Sequence, residues 1–313
     1  MTTSAISLVL LVAGIALVLW GAERFTDGAV RTATRFGLST FYVGAAVSGF
    51  EPENLVTGVT AAAEELPQIA LGTVIGSAVF MLTGGLGVAL LLVPMAARLP
   101  REGSFAMLAS VVPFAVSLWN DGTVSRVEGA VLVLVAASLM VWLYRRSLIF
   151  RRASEDDDAH SGSRLRAVGL LVLGVAVMVV GAELLVHGVR ALLGAVMLSE
   201  TFLGMVVVGM GESLEETARM VTPARRGHPE LAWGNVVGTL IVLLAFNLGV
   251  VALVRPITVD PLVLRLHAPY LIGCTIVVAA ALLWARALGR AMGTLLVALF
   301  LLYLALNISH MWR

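Results

Sequence analysis

Two stretches of the chain combine carboxylates with glycine in a pattern that suits the binding of a hard cation. The first, residues 49–54, reads Gly-Phe-Glu-Pro-Glu-Asn, and the second, residues 211–216, reads Gly-Glu-Ser-Leu-Glu-Glu. About one helix length later each is followed by a glycine-rich apolar segment, at residues 72–77 and 234–239. Carboxylate, amide and hydroxyl oxygens are the donors that hard cations prefer. The two stretches are therefore candidate halves of a cation site.

The composition places these motifs in a lipid bilayer. The 313 residues are 59% hydrophobic and 13% charged, with a mean hydropathy of +0.97, which exceeds what a soluble domain can bury. A segment needs roughly 20 apolar residues to cross a bilayer. Such segments lie near residues 4–33, 39–63, 67–94, 104–120, 126–149, 165–193, 200–223, 229–254, 263–286 and 291–311. The sequence predicts an all-α polytopic membrane protein with ten transmembrane helices, and acids retained at membrane depth favour transport.

A short polar connection divides the chain into two halves. Residues 151–164 include four consecutive acids and are expected to be a solvated linker between two five-helix units, residues 1–150 and 165–313. Motifs recur in the same order in both units. Gly21-Ala22-Glu23 with Gly28 returns as Gly181-Ala182-Glu183 with Gly188, although close helix packing is an alternative reason for these glycines. Because five is an odd number, the second unit is expected to be inverted, with a shared site near the midplane.

The basic residues predict the orientation. All 21 are arginine, and most of them lie on one side of the predicted helices. Since basic residues accumulate in cytoplasmic loops, we expect a multi-pass protein of the cell membrane with its amino terminus outside and the 151–164 linker in the cytoplasm.

Other classes of partner and activity find no support in the sequence. The net charge of +1 does not indicate a partner, and no basic, aromatic-interleaved surface suggests nucleic acid. No protein partner can be inferred, and the expected partners are the bilayer and inorganic cations. Neither Gly-x-Ser-x-Gly nor His-Glu-x-x-His occurs, so we expect neither an enzyme nor a cofactor.

In both halves these motifs resemble the cation/calcium exchanger superfamily, which includes the sodium/calcium exchangers. The resemblance rests on the Gly-Ala-Glu first helix, the acidic signature, and a glycine-rich segment such as Gly234-Asn235-Val236-Val237-Gly238. In that family the signature helices and glycine-rich helices cross near the membrane centre, and one glutamate from each repeat helps to bind calcium. The resemblance implies an antiporter that exchanges Ca²⁺ against Na⁺ or H⁺ by alternating access, with the first and sixth helices sliding past the rest.

The resemblance also assigns candidate ligands. Glu216 stands 18 residues before Gly234, as the family spacing requires. In the first half the Pro-Glu pair matches Glu53, which we favour, but 18 residues before Gly72 stands Asn54, so both remain candidates. The full set of candidate metal ligands is Glu53, Glu216, Glu51, Asn54, Glu212, Ser213, Ser77, Thr239 and Asn235.

Departures from the family pattern leave the ions open. Glu51 and Glu212 stand where hydroxyl groups are expected, and acids that share a poorly solvated site cannot all stay ionised, so proton exchange is an alternative to sodium exchange. Glu215, four residues before Arg219, is expected to form a structural ion pair. His187 is either a proton relay or an interior histidine. Other hypotheses are exchange of Mg²⁺ or Mn²⁺, and a non-transporting membrane sensor or partner subunit.

Overall fold

The computed structural model describes residues 2–49, 52–63, 65, 67–96, 101–152, 164–194, 209–285 and 287–311, which are mostly helical. Helices are the expected form of apolar segments in a bilayer, because each backbone group finds its partner within the segment. The first half contains α1 (Thr2–Phe36), α2 (40–48, ending in a π-helical turn at Gly44–Ser48), α3 (Pro52–Ala63), α4 (67–92, with a π-helical segment at Met81–Gly85), α5 (Arg101–Trp119) and α6 (Arg126–Arg152).

The second half has a matching order of helices. They are α7 (Arg164–Gly194), α8 (Gly209–Arg225), α9 (Pro229–Val254, with a π-helical segment at Val242–Asn247), α10 (Val263–Trp284, beginning with a π-helical turn at Val263–His267) and α11 (Arg290–Met311). Each of the ten apolar segments predicted from the sequence therefore contains helix.

Seven helices within the described part of the chain are long and apolar enough to cross a bilayer. Their spans are Ala70–Leu92, Arg101–Trp119, Arg126–Leu148, Arg164–Gly181, Pro229–Val254, Val263–Trp284 and Arg290–Asn307. A shorter apolar helix covers Asn54–Ala63. These lengths and compositions make the chain a multi-pass membrane protein.

Two short antiparallel strand pairs join loops from the two halves. Strand β1 (Met95–Ala96), after α4, pairs with β4 (Ala287–Leu288), after α10. Strand β2 (Thr123–Val124), after α5, pairs with β3 (Ile257–Thr258), after α9. Because α5 separates β1 from β2, the two pairs lie at opposite ends of that helix. Each pair takes one strand from each half.

Helices α1 and α7 pack along each other through small residues. A methyl group built on Gly21 would lie 2.8 Å from Cγ of Met178, and one built on Gly174 would lie 2.6 Å from Cα of Phe25. Gly28 likewise meets the backbone of Leu171. The numbering rises in α1 as it falls in α7, so the pair is antiparallel. The glycines shared between the halves thus serve close packing at positions 21, 28 and 181, whereas the surroundings of Gly188 are not described.

The main core lies between α4, α5, α9 and α10. Leu71, Phe114 and Trp233 are fully buried in it, and nearly every residue of α9 is buried on all sides. A helix that is apolar all round is expected at the centre of a membrane bundle. Helix α9 therefore lies at the centre of the bundle, and the helices around it position the candidate site.

The chain enters α9 through a tight turn after α8. Gly227 has a φ of 82°, a conformation that favours glycine, and the amide of His228 donates a 2.9 Å hydrogen bond to the carbonyl oxygen of Pro223. Beside this turn, Arg226 is 2.6 Å from Oδ1 of Asp27 and 3.5 Å from Oε2 of Glu23. These ion pairs hold the end of α8 against α1.

Candidate functional site

The structure places the sequence-predicted ligands on four helices. Asn54 lies on α3, Ser77 on α4, Glu216 on α8, and both Asn235 and Thr239 on α9. All but Ser77, which is half-buried, are buried. Among the other candidates, Glu51 lies outside the described residues. The backbones of Glu53, Glu212 and Ser213 belong to α3 and α8, but their side chains are not described.

The first half brings Asn54 together with Ser77. The Ser77 hydroxyl donates a 3.0 Å hydrogen bond to Oδ1 of Asn54, and Asn54 is only 8% exposed. This hydrogen bond joins α3 to α4. The signature helix and the glycine-rich helix of this half therefore meet through two uncharged side chains, each of which carries an oxygen atom. Residues 54 and 77 have counterparts 162 positions later at Glu216 and Thr239. The spacing that pointed to Asn54 therefore agrees with its position beside Ser77.

The second half carries the buried charge. Within the described part of the chain the buried ionisable side chains with a formal charge are Glu215, Glu216 and Arg219, all on α8. Glu215 and Arg219 form the ion pair that the sequence predicted from their spacing. Glu216 is a further buried carboxylate on α8, and carboxylates buried inside a membrane protein often mark ion pathways.

Glu216 packs against the glycine that ends the π-helical segment of α4. A methyl group built on Gly85 would lie 3.9 Å from Cβ of Glu216 and 3.3 Å from Cε of Met220. Ser77 lies eight residues earlier in α4, which is about 12 Å along a helix. Asn54 and Glu216, from opposite halves, therefore both contact α4 within about 12 Å of each other along its length.

Helix α2 crosses α9 at backbone contact distance. A methyl group built on Gly49 would lie 2.5 Å from the amide nitrogen of Thr239 and 2.5 Å from the carbonyl carbon of Gly238. Gly44 meets the amide of Asn235 in the same way, at 3.2 Å. The glycines are required here because any side chain would separate the helices. The crossing holds two of the candidate ligands, Asn235 and Thr239, against α2 and Gly49, the residue that follows it.

Any metal site formed by described side chains has a mixed donor set. Among the described residues, no group of three or more His, Cys, Asp or Glu side chains lies close enough to hold a metal. The other oxygen donors that the described candidates offer are amides and hydroxyls, as at Asn54 and Ser77. Such a set suits Ca²⁺, which accepts carboxylate, amide, carbonyl and water oxygens in flexible geometry.

Asn247 is a buried polar residue that was not anticipated from the motifs. Asn247 ends the π-helical segment of α9, is fully buried, and stands 162 positions after Gly85. The offset of 162 between Gly85 and Asn247 is visible in the sequence, but the burial of Asn247 depends on the helices that surround α9. π-helical segments are frequent at functional sites, because the wider turn leaves backbone groups available.

Known proteins resemble this chain along nearly its whole length. The model of the family described as "Sodium/calcium exchanger protein" matches residues 6–145 and 166–309. The inner membrane protein YrbG of Escherichia coli (strain K12) is 29% identical over 95% of both chains. The sodium/calcium exchanger MaX1 of Methanosarcina acetivorans is 25% identical over 87% of this chain and 90% of its own.

A solved structure of the sodium-calcium exchanger NCX_Mj, soaked with 10 mM Na⁺ and no Ca²⁺, has the same fold. Its TM-score is 0.82 at 23% sequence identity, covering 96% of this chain and 99% of that chain. The family model spans both halves and leaves out the polar linker between them. The chain therefore belongs to the sodium/calcium exchanger family of membrane transport proteins.

Proposed function

We propose that this protein is an antiporter that exchanges Ca²⁺ against Na⁺ or H⁺ by alternating access. The observation that carries the proposal is the buried carboxylate of Glu216, which lies on α8 next to the Glu215–Arg219 ion pair and packs against Gly85 of α4. Acids buried inside a membrane protein mark ion pathways, because their cost must be offset by function. The names of MaX1 and NCX_Mj, both sodium/calcium exchangers, support calcium as the divalent ion.

In this proposal the two halves contribute different ligands to one region. Glu216 provides the carboxylate of the second half, with Thr239 and Asn235 on α9 as neutral donors. Asn54 and Ser77 provide the first half, and their hydrogen bond supports Asn54 as the counterpart of Glu216. The acids at Glu53, Glu51 and Glu212, together with Ser213, complete the set or carry the exchanged protons.

We also infer ten transmembrane helices in two inverted five-helix repeats, residues 1–150 and 165–313, with a cytoplasmic linker at 151–164. The strand pairs support this arrangement. Adding 162 to the residue numbers of β1 gives those of β3, and adding 164 to those of β2 gives those of β4. Interchanging the two halves would therefore interchange the two strand pairs. Those pairs lie at opposite ends of α5, as inversion requires. The arginine distribution supports an amino terminus outside the cell.

Calcium flux into proteoliposomes tests the proposed exchange. The purified protein is reconstituted with an outward Na⁺ gradient in one set and an outward H⁺ gradient in another, and ⁴⁵Ca²⁺ uptake is measured. Uptake driven by one gradient, and lost in Glu216→Gln, supports the proposal and identifies the coupling ion. Glu230→Gln is the matched control, because Glu230 is a half-buried carboxylate at the start of α9 that faces His228.

The remaining hypotheses are outcomes of the same assay. Uptake of Mg²⁺ or Mn²⁺ that requires Glu216, in the absence of Ca²⁺ uptake, would support an antiporter for a different divalent ion. Folded protein that moves none of these ions under either gradient would contradict transport and favour a sensor or partner subunit. Equal uptake by the wild type and Glu216→Gln would remove Glu216 from the site.

A further inference from the structure

The tightly packed interface of α1 with α7 ends in two arginines. Gly28 of α1 lies against the backbone of Leu171 of α7. Residues seven apart lie two turns apart on the same face of a helix. Seven residues further along α1 stands Arg35, and seven residues earlier in α7 stands Arg164, so these two form the last layer of the antiparallel interface. In agreement, Cζ of Arg164 lies 5.6 Å from the centre of the ring of Phe36.

Arg35 and Arg164 place like charges at one level of the interface. Among the described residues, no acid forms an ion pair with either of them. An arginine keeps its proton in a protein, so loss of a proton cannot relieve the repulsion. The repulsion is stronger where water is excluded, and Arg35 is half-buried. An anion bound between the two guanidinium groups would replace this repulsion with attraction.

Two polar atoms at this end of α1 are buried and lack a hydrogen-bond partner. Within the described part of the chain, neither Nη2 of Arg35 nor Oγ1 of Thr32 has one. Thr26 and Thr34 of the same helix each donate a hydrogen bond to the carbonyl oxygen four residues earlier, as helical threonines commonly do. Thr32 does not, and it stands three residues before Arg35 on the same helix face. Such donors are expected where a ligand with acceptor oxygens completes their bonding.

The surface beside the arginines is apolar and favours a lipid as the source of the anion. Phe36 is 48% exposed and Leu165 is 81% exposed. A basic pocket between membrane helices suits a lipid headgroup, and arginine binds phosphate oxygens in pairs. We propose that Arg35, Arg164 and Thr32 bind the phosphate group of an anionic phospholipid. None of the three belongs to the candidate cation site, so the inference does not depend on the ion that is carried.

Thermal unfolding of the purified protein in dodecyl maltoside tests this site. Phosphatidylglycerol is titrated in one series and phosphatidylcholine in another, so the two series differ in the net charge of the headgroup. The wild type should be stabilised by phosphatidylglycerol in a saturable manner. Arg35→Gln should raise the half-saturating concentration by about tenfold or more, because it removes a charged donor. Without lipid it should unfold no earlier than the wild type, because it also removes a repulsion.

Two further variants make the test specific. Thr32→Val removes only a hydroxyl group and should raise the half-saturating concentration by roughly threefold. Arg145→Gln on α6 is the matched control, because Arg145 is an exposed arginine near the same level of the bilayer. That level is shown by Ser147, whose hydroxyl accepts a 2.6 Å hydrogen bond from the amide of Ser39, shortly after the end of α1. Arg145→Gln should respond to phosphatidylglycerol as the wild type does.

Three results would overturn the proposal. The first is a response to phosphatidylglycerol that is absent, or that Arg145→Gln weakens as much as Arg35→Gln does, which would indicate general attraction to a basic surface. The second is equal stabilisation by inorganic phosphate that abolishes the response to lipid, which would assign the site to a soluble anion. The third is a protein that ignores both probes but loses stability when the acids at residues 155–158 are replaced by serine, which would assign the arginines to the linker.

Discussion

The buried ion pair of α8 allows a direct test of how charge is distributed at the candidate site. The side chains of Glu215 and Arg219 are 8% and 4% exposed. Removing one partner of a buried pair typically costs about 3–5 kcal/mol. Glu215→Leu and Arg219→Met are therefore each expected to destabilise the protein by that amount. Replacing both by apolar residues of similar size is often neutral, so Glu215→Leu/Arg219→Met should remain within about 2 kcal/mol of the wild type.

The assay combines unfolding with transport. The four proteins form a double-mutant cycle, read by denaturant or thermal unfolding in detergent under conditions where refolding is reversible. A double variant as unstable as the sum of the two single variants would refute the idea of a structural pair. The double replacement also leaves the formal charge of α8 unchanged, because it removes one acid and one base. Ca²⁺ flux should therefore persist in the double variant, whereas it is lost in Glu216→Gln. Loss of flux in a well-folded double variant would place Glu215 among the ion ligands.

Three further substitutions address packing, the first-half ligand and a helix start. Gly174→Ala should destabilise the protein by about 1–3 kcal/mol, because its methyl group would overlap the backbone of Phe25, whereas Gly169→Ala on the same helix meets no described atom within 4 Å and should be neutral or stabilising in thermal unfolding. Asn54→Asp adds a charge beside Ser77 and should lower the Ca²⁺ concentration for half-maximal uptake by about tenfold; no change would contradict a role in binding. Ser125→Ala should cost about 1 kcal/mol, since the Ser125 hydroxyl donates a 2.8 Å hydrogen bond to Oε2 of Glu128 and accepts one of 3.3 Å from the amide of Glu128 at the start of α6. An unchanged unfolding temperature would show that this cap is dispensable.

The sequence predicted the location of the helices well, for a physical reason. In a bilayer an apolar run has few alternatives to a helix, so hydropathy and length define the segments almost alone. The ion pair of Glu215 with Arg219 was also predictable, because an i, i+4 pair on a helix lies close whatever surrounds it. Both features depend on local properties of the chain.

Features that depend on contacts between helices were not predictable in the same way. The choice between Glu53 and Asn54 is set by the rotation of α3, which follows the break between α2 and α3. The Pro-Glu motif favoured Glu53, whereas the 18-residue spacing pointed to the residue that the structure places on Ser77. A role for Glu53 stays a prediction. The π-helical segments and the two strand pairs likewise have no signature in residue type.

The difference between the two halves bears directly on how exchange would proceed. An exact repeat would place an acid in each half, and two acids at short distance in a dry site repel each other unless a divalent ion or a proton is present. Here the described residues put an acid, Glu216, against Gly85 in one half and a neutral amide, Asn54, beside Ser77 in the other. An amide carries no charge in any state, whereas the carboxylate of Glu216 is charged unless it is protonated. In the proposed exchange this asymmetry predicts that Glu216, rather than Asn54, dominates the electrostatic attraction of a divalent ion.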